Sequence, residues 1–119
     1  MAKYYVTTPI YYANDKPHIG HAYTTIAADV LARYHRLQGE ATWFLTGLDE
    51  HGAKVAAAAQ KAGLEPQAFV DQQAERFKLA WKNLDISFDD FIRTTEPRHV
   101  SGAQKFMSVL REKGALYQG

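Results

Sequence analysis

"YYANDKPHIGHAYTTIAADVLARY", residues 11–34, passes from an aromatic run through a turn into a long helix. Asn14, Asp15 and Pro17 form the turn cluster. From Ile19 to Leu37 the apolar residues Ala22, Tyr23, Ile26, Ala27, Val30, Leu31, Tyr34 and Leu37 recur at helical spacing, and Gly39 closes the helix. Just upstream, residues 4–12 are rich in Tyr, Val, Thr and Ile and read as a short buried strand interrupted at Pro9. Strand, short loop and helix in that order is the repeating unit of a parallel α/β sheet.

The rest of the chain repeats the unit. ATWFLTGLD, residues 41–49, is a continuous apolar run ending in an acid, the pattern of a second buried strand. Residues 52–62 are alanine-rich and helical up to Gly63. Pro66 opens the next helix at its first position, with Leu64 set to meet Phe69 as a hydrophobic staple. Its stripe of Phe69, Val70, Ala74, Phe77, Trp81 and Leu84 is core packing. Residues 86–95 predict a third strand ending at Arg93-Thr94-Thr95. Glu96-Pro97 then starts a last helix, with Val100, Ala103, Phe106, Val109 and Leu110 facing inward and Gly114 at its end. Ala115-Leu116-Tyr117 reads as the start of one more apolar element. Three strands alternating with helices predict about half of a doubly wound parallel sheet, and so an N-terminal fragment of a longer protein.

Composition narrows the function classes. With 119 residues the chain fits one small domain, and 46% apolar with 13% aromatic content is enough for a core, which excludes a disordered tail. Fourteen Lys and Arg against thirteen Asp and Glu leave +1, too little to draw nucleic acid or membrane by bulk charge. Cysteine is absent, which excludes disulfides, thiolate catalysis and thiolate metal sites within these residues. No run approaches the roughly 18 apolar residues of a membrane span. The N-terminus lacks the layout of a signal peptide. The expectation is a soluble cytoplasmic protein with no membrane partner.

H-I-G-H falls where the loop becomes the helix. A helix N-terminus offers free N–H donors and a partial positive charge, which suits anions and makes a protonated imidazole unwelcome. His18 and His21 are neighbours at i and i+3, and Gly20 leaves bare backbone between them for a flat ligand. Two imidazole donors and the dipole predict a triphosphate site at His18, Gly20 and His21. A lone histidine here would read as a cap or surface residue, but a cap is more naturally Ser, Thr, Asp or Asn. Asp49 ends its strand at the carboxyl edge, where open α/β sheets bind ligands; the competing reading is an N-cap for the next helix. Asp49, Glu50 and His51 are consecutive and do not converge on one ion, so no protein-held metal is predicted. Asn14 is expected to shape the loop. Arg93 reads as a surface charge or a packing residue and stays outside the site.

T-P-I-Y-Y-A-N-D-K-P-H-I-G-H, residues 8–21, followed by W-F-L-T-G-L-D-E-H-G, residues 43–52, resembles the start of the methionyl-tRNA synthetases, a family of class I aminoacyl-tRNA synthetases. The resemblance continues through F-I-R-T-T, residues 91–95, to the final A-L-Y-Q-G, where that family enters its connective-peptide insertion. It implies the Rossmann-like class I catalytic fold and an ATP-dependent ligase of protein biosynthesis. Methionine would be activated to methionyl adenylate and passed to initiator and elongator methionine tRNA. It further implies that His18 and His21 are catalytic, and that Pro9, Ile10, Tyr12 and Asp49 contact methionine, Asp49 at the α-ammonium. Magnesium would arrive with ATP, held mostly by phosphates and water. Zinc would belong to the connective-peptide domain.

The K-M-S-K-S loop, the aromatic residues that complete the methionine pocket and the anticodon-binding helices of that family are absent from these residues. The fragment alone is therefore expected to be inactive. Another class I synthetase, for leucine, valine or cysteine, is one alternative, and a small H-x-G-H nucleotidylyltransferase is a second. A non-catalytic binding module is the third.

Overall fold

A nine-residue, largely apolar run carrying Thr42, Trp43, Phe44 and Thr46 makes β3 (Ala41–Asp49) the axis of the sheet, and every other strand pairs with it in parallel. The computed structural model describes residues 2–118. β1 (Lys3–Thr7) runs along one edge of β3 from Lys3↔Ala41 to Thr7↔Leu45. β2 (Tyr11–Tyr12) resumes with Tyr11↔Leu48 and Tyr12↔Asp49. Between them Thr8, Pro9 and Ile10 stand opposite Thr46 and Gly47 alone, which makes a bulge where Pro9 has no N–H for the ladder. Thr8 still donates its N–H to the Leu45 carbonyl at 3.1 Å, and its Oγ1 meets Thr46 Oγ1 at 2.7 Å. The single strand expected over residues 4–12 is thus two short ones.

β4 (Asp90–Arg93) takes the other edge, from Leu45↔Asp90 to Leu48↔Arg93. The strands therefore lie across the sheet in chain order. Right-handed crossovers that all step the same way place their helices on one face. Those helices are α1 (Ile19–Leu37), α2 (Ala53–Lys61) and α3 (Pro66–Asn83). Phe44 packs with Ala28 and Ala32 of α1, while Leu48, Tyr11 and Phe91 pack with Val55 and Ala59 of α2 and with Phe69, Val70, Phe77 and Trp81 of α3. On the opposite face Tyr5 and Trp43 are 59% and 51% exposed. The chain is an α/β fold with a parallel sheet, and its helices cover one side of it.

Several expectations are corrected. α1 meets the sheet through Thr25, Ala28, Asp29 and Ala32, whereas its large residues Tyr23, Ile26, Val30, Leu31, Tyr34 and Leu37 are exposed. Small side chains let the helix approach β1 and β3 closely, and the buried polar ones are satisfied. Thr25 donates to the His21 carbonyl at 2.8 Å, and Asp29 accepts from Ser87 N, Ser87 Oγ and Arg33 Nε at 2.7, 2.6 and 2.7 Å. α3 follows its predicted stripe up to Trp81, and Leu64 packs with the cluster that holds Phe69. Leu84 is exposed because it is the C-cap.

The strand expected over residues 86–95 shortens to β4, with Ile86 and Phe88 reaching the core from the lead-in. α4 (Pro97–Glu112) buries none of its residues: Val100, Ala103, Phe106 and Val109 are exposed and Leu110 is half-buried. It stands away from the covered face, and the radius of gyration, 16.7 Å, reflects that; a compact chain of this length would give about 13.5 Å. Ala115, Leu116 and Tyr117 form no regular element. Among the described residues no helix is long and apolar enough to cross a membrane.

Candidate active site

The two histidines cap their own helix. His18 is the N-cap of α1, with extended backbone, and its Nδ1 accepts the Gly20 N–H at 3.1 Å. His21, at the third helical position, reaches back so that its Nδ1 accepts the His18 N–H at 3.1 Å. This is a capping box built from two imidazoles in place of the usual hydroxyl and carboxyl groups. The opposition between a capping and an anion-binding role therefore dissolves. An Nδ1 that accepts a backbone N–H carries no proton, so each neutral ring bears its N–H on Nε2. One nitrogen finishes the helix and the other remains a donor. The rings stack with centroids 3.8 Å apart, and the first turn of α1 holds no acidic residue to neutralise the helix end.

Gly20 lies under this pair. A Cβ there would stand 3.0 Å from His18 Cε1, so the bare backbone expected to receive a flat ligand is covered on that side by the His18 ring. His21 is half-buried, edge-on to Tyr11 at 4.7 Å and to Phe77 at 5.2 Å. Burial pushes its pKa below the ordinary 6.5, repulsion from His18 lowers it further, and Asp15 opposes in part. The neutral form is favoured. Tyr11, absent from the sequence-predicted site, fixes this turn: its hydroxyl meets Thr25 Oγ1 at 2.9 Å, and Thr25 in turn bonds the His21 carbonyl. Its signal was the alternation beside Tyr12, since paired tyrosines in a strand face opposite ways.

Ile10, Tyr12, His18 and His21 line one cavity of about 360 Å³ together with Tyr11, Asn14 and Asp15. Pro9 is exposed on the bulge before it. Asp49 is not part of its lining but pairs in register with Tyr12 across β2 and β3, at the carboxyl edge of the sheet. Asp49 does not cap α2; that position belongs to Gly52, whose φ of 107° suits glycine. Its carboxylate receives the His51 N–H at a long 3.5 Å, and the His51 ring sits 3.2 Å from the Thr94 carbonyl.

Arg93, expected to stand outside the site, has a side chain only 16% exposed and forks between Glu50 Oε1 at 2.7 Å and Asp71 Oδ1 at 2.5 Å. Its hydrogen bond holds the Asp71 carboxyl below the usual range. Among the described residues no group of three His, Cys, Asp or Glu is placed to hold a metal ion.

The chain is similar to known proteins along nearly its whole length. The family described as tRNA synthetases class I (M) matches residues 4–119. The methionine–tRNA ligase of Streptomyces coelicolor is 55% identical over 117 residues, covering 98% of this chain and 22% of the ligase. That of Thermotoga maritima is 56% identical over 117 residues, covering 98% and 19%. The structure of Mycobacterium tuberculosis methionyl-tRNA synthetase in complex with methionyl-adenylate superposes with a TM-score of 0.92 at 45% identity, over 96% of this chain and 22% of that one. The chain thus spans about a fifth of the length of the curated relatives it matches. Matched along nearly its whole length in sequence and in fold, the chain belongs to the class I tRNA synthetases of the methionine type.

Proposed function

We propose that this chain is the N-terminal half of the nucleotide-binding catalytic domain of a methionine–tRNA ligase, acting in the cytoplasm and ending where a connective-peptide insertion begins. The observation that carries the reading is the double imidazole cap, which leaves two Nε2 donors on rings lining a cavity at a helix N-terminus. The bare face with Tyr5 and Trp43 supports a larger domain around it.

In the proposed first step a carboxylate oxygen of methionine attacks the α-phosphorus of ATP. The bond from that phosphorus to the bridging oxygen breaks, and pyrophosphate leaves with the electron pair. The nucleophile is already an anion, so no general base is required. The task of the protein is in-line positioning and stabilisation of charge on the phosphoryl oxygens. His18 and His21 supply neutral N–H donors, Gly20 keeps the turn open to the capping ring, and the helix end adds its dipole. Asp49 holds the α-ammonium, while Tyr12, Ile10 and Pro9 contact the methionine side chain. In the second step a terminal ribose hydroxyl of methionine tRNA attacks the adenylate carbonyl and AMP departs. Magnesium accompanies ATP and is held by its phosphates.

ATP–pyrophosphate exchange, run with each standard amino acid on the full-length protein and on this chain, tests the reading. Exchange by the full-length protein with methionine alone is the expected result, with silence from the isolated chain. Exchange with a different amino acid overturns the substrate, and none at all overturns the ligase.

A further inference from the structure

Beneath Asp49 one guanidinium ties the loop down. The side chain of Glu50, the next residue, is fully buried at 0% exposure. Arg93, at the end of β4, donates its Nε–H to Glu50 Oε1 and an Nη2–H to Asp71 on α3. Thr95 Oγ1 donates to the second Glu50 oxygen, and the Glu50 N–H goes to Thr94 Oγ1 at 2.9 Å. On the other side the Ala13 N–H holds the Asp49 carbonyl at 3.0 Å. The peptide that joins Asp49 to Glu50 is held at both its carbonyl and its N–H, yet the Asp49 carboxylate itself has no ion-pair partner among the described residues. It is aimed by its neighbours and accepts one long hydrogen bond, from the His51 N–H.

We propose that Arg93 is a positioning residue for methionine recognition. By clamping Glu50 against Asp71 it fixes the direction of the Asp49 carboxylate toward the α-ammonium group of the substrate. The inference rests on the proposed ligase function and assigns the aim of its carboxylate to a residue three elements away. Only a planar guanidinium reaches both carboxylates at once; a lysine ammonium is a single point on a flexible stem. An unpaired Glu50 in this buried position would be costly, so the clamp also adds stability, and the test has to separate the two roles.

Arg93→Lys and Glu50→Gln in the full-length protein provide that separation, with methionine and ATP varied independently in pyrophosphate exchange and thermal melts run alongside. Positioning predicts a KM for methionine raised on the order of tenfold in both variants, with the KM for ATP and kcat within about threefold of wild type. A lowered Tm with an unmoved methionine KM makes the pair purely structural and overturns the inference. If Arg93→Lys fails to melt cooperatively, Glu50→Gln, which keeps shape and volume, is judged by the same criterion. A wild type silent with methionine overturns the ligase function and this inference with it. That outcome is distinct from an active wild type whose variants bind methionine normally.

Discussion

His18 and His21 are bonded to each other through the main chain: the N–H of the first enters Nδ1 of the second at 3.1 Å, while Nδ1 of the first holds Gly20 at the same distance. Helix capping uses Nδ1 of each ring and the proposed anion contact would use Nε2, so substitution can separate them.

His18→Asn is the separating variant. Asparagine caps as well as any residue, so the melting temperature should stay within about 3 °C of wild type. It lacks the Nε2 donor, and pyrophosphate exchange should fall by roughly 10²–10³. His18→Ala should lose both, the cap costing about 1 kcal/mol. Activity retained in His18→Asn would remove the ring from catalysis.

Acid should weaken the fold through His21. Its folded pKa lies below 6.5, so over the window from 6.5 down to that depressed value the unfolded chain binds more protons than the folded one. Stability therefore falls as pH drops through the window and is fully present above it. The Asp29, Asp71 and Asp90 carboxyls are also held low, but they withdraw support only at more acid pH, below the ordinary 3.8. Melting curves from about pH 7.5 to pH 5 should show a shallower slope in His21→Gln than in wild type. Equal slopes would assign the acid sensitivity to other groups.

Asp49→Asn should raise the KM for methionine by about 10–100-fold, the worth of one charged hydrogen bond, and leave the KM for ATP nearly unchanged. Separate titrations of the two substrates read this directly. A matching rise for ATP would move Asp49 to the nucleotide.

Gly47→Ala should be among the most damaging small changes. A Cβ there would stand 2.1 Å from the Ile92 carbonyl oxygen, which belongs to backbone and cannot swing away. β4 would have to separate from β3, at a cost of about 3 kcal/mol or more. Urea unfolding measures the loss. A wild-type midpoint would show that the two strands yield easily.

The strand–loop–helix order and the carboxyl-edge position of Asp49 were readable from local pattern, because turn residues and apolar periodicity act over a few residues. The covered face of α1 was not. Thr25 and Asp29 are buried through bonds to Tyr11 and Ser87, and the latter lies 58 residues away, so hydropathy points the wrong way round. The Glu50–Arg93 pair spans 43 residues and is equally invisible to spacing. The bulge at Pro9 was half readable: proline marked the interruption, but only the register with β3 shows that pairing resumes beyond it.

Because the strands stand side by side in chain order, each has its hydrogen-bonding partner already in place when it arrives. Each pairing still closes a long crossover, as Lys3↔Ala41 and Leu45↔Asp90 show, so folding should keep the slow pace of a parallel sheet even though no strand waits for one later in the chain. β1, α1 and β3 form the natural nucleus, with α2, α3 and β4 condensing on it. Substitutions at Ala28, Ala32 or Phe44 should slow folding, those around Phe91 should mainly hasten unfolding, and changes along α4, which buries nothing, should leave both limbs of the chevron where they are.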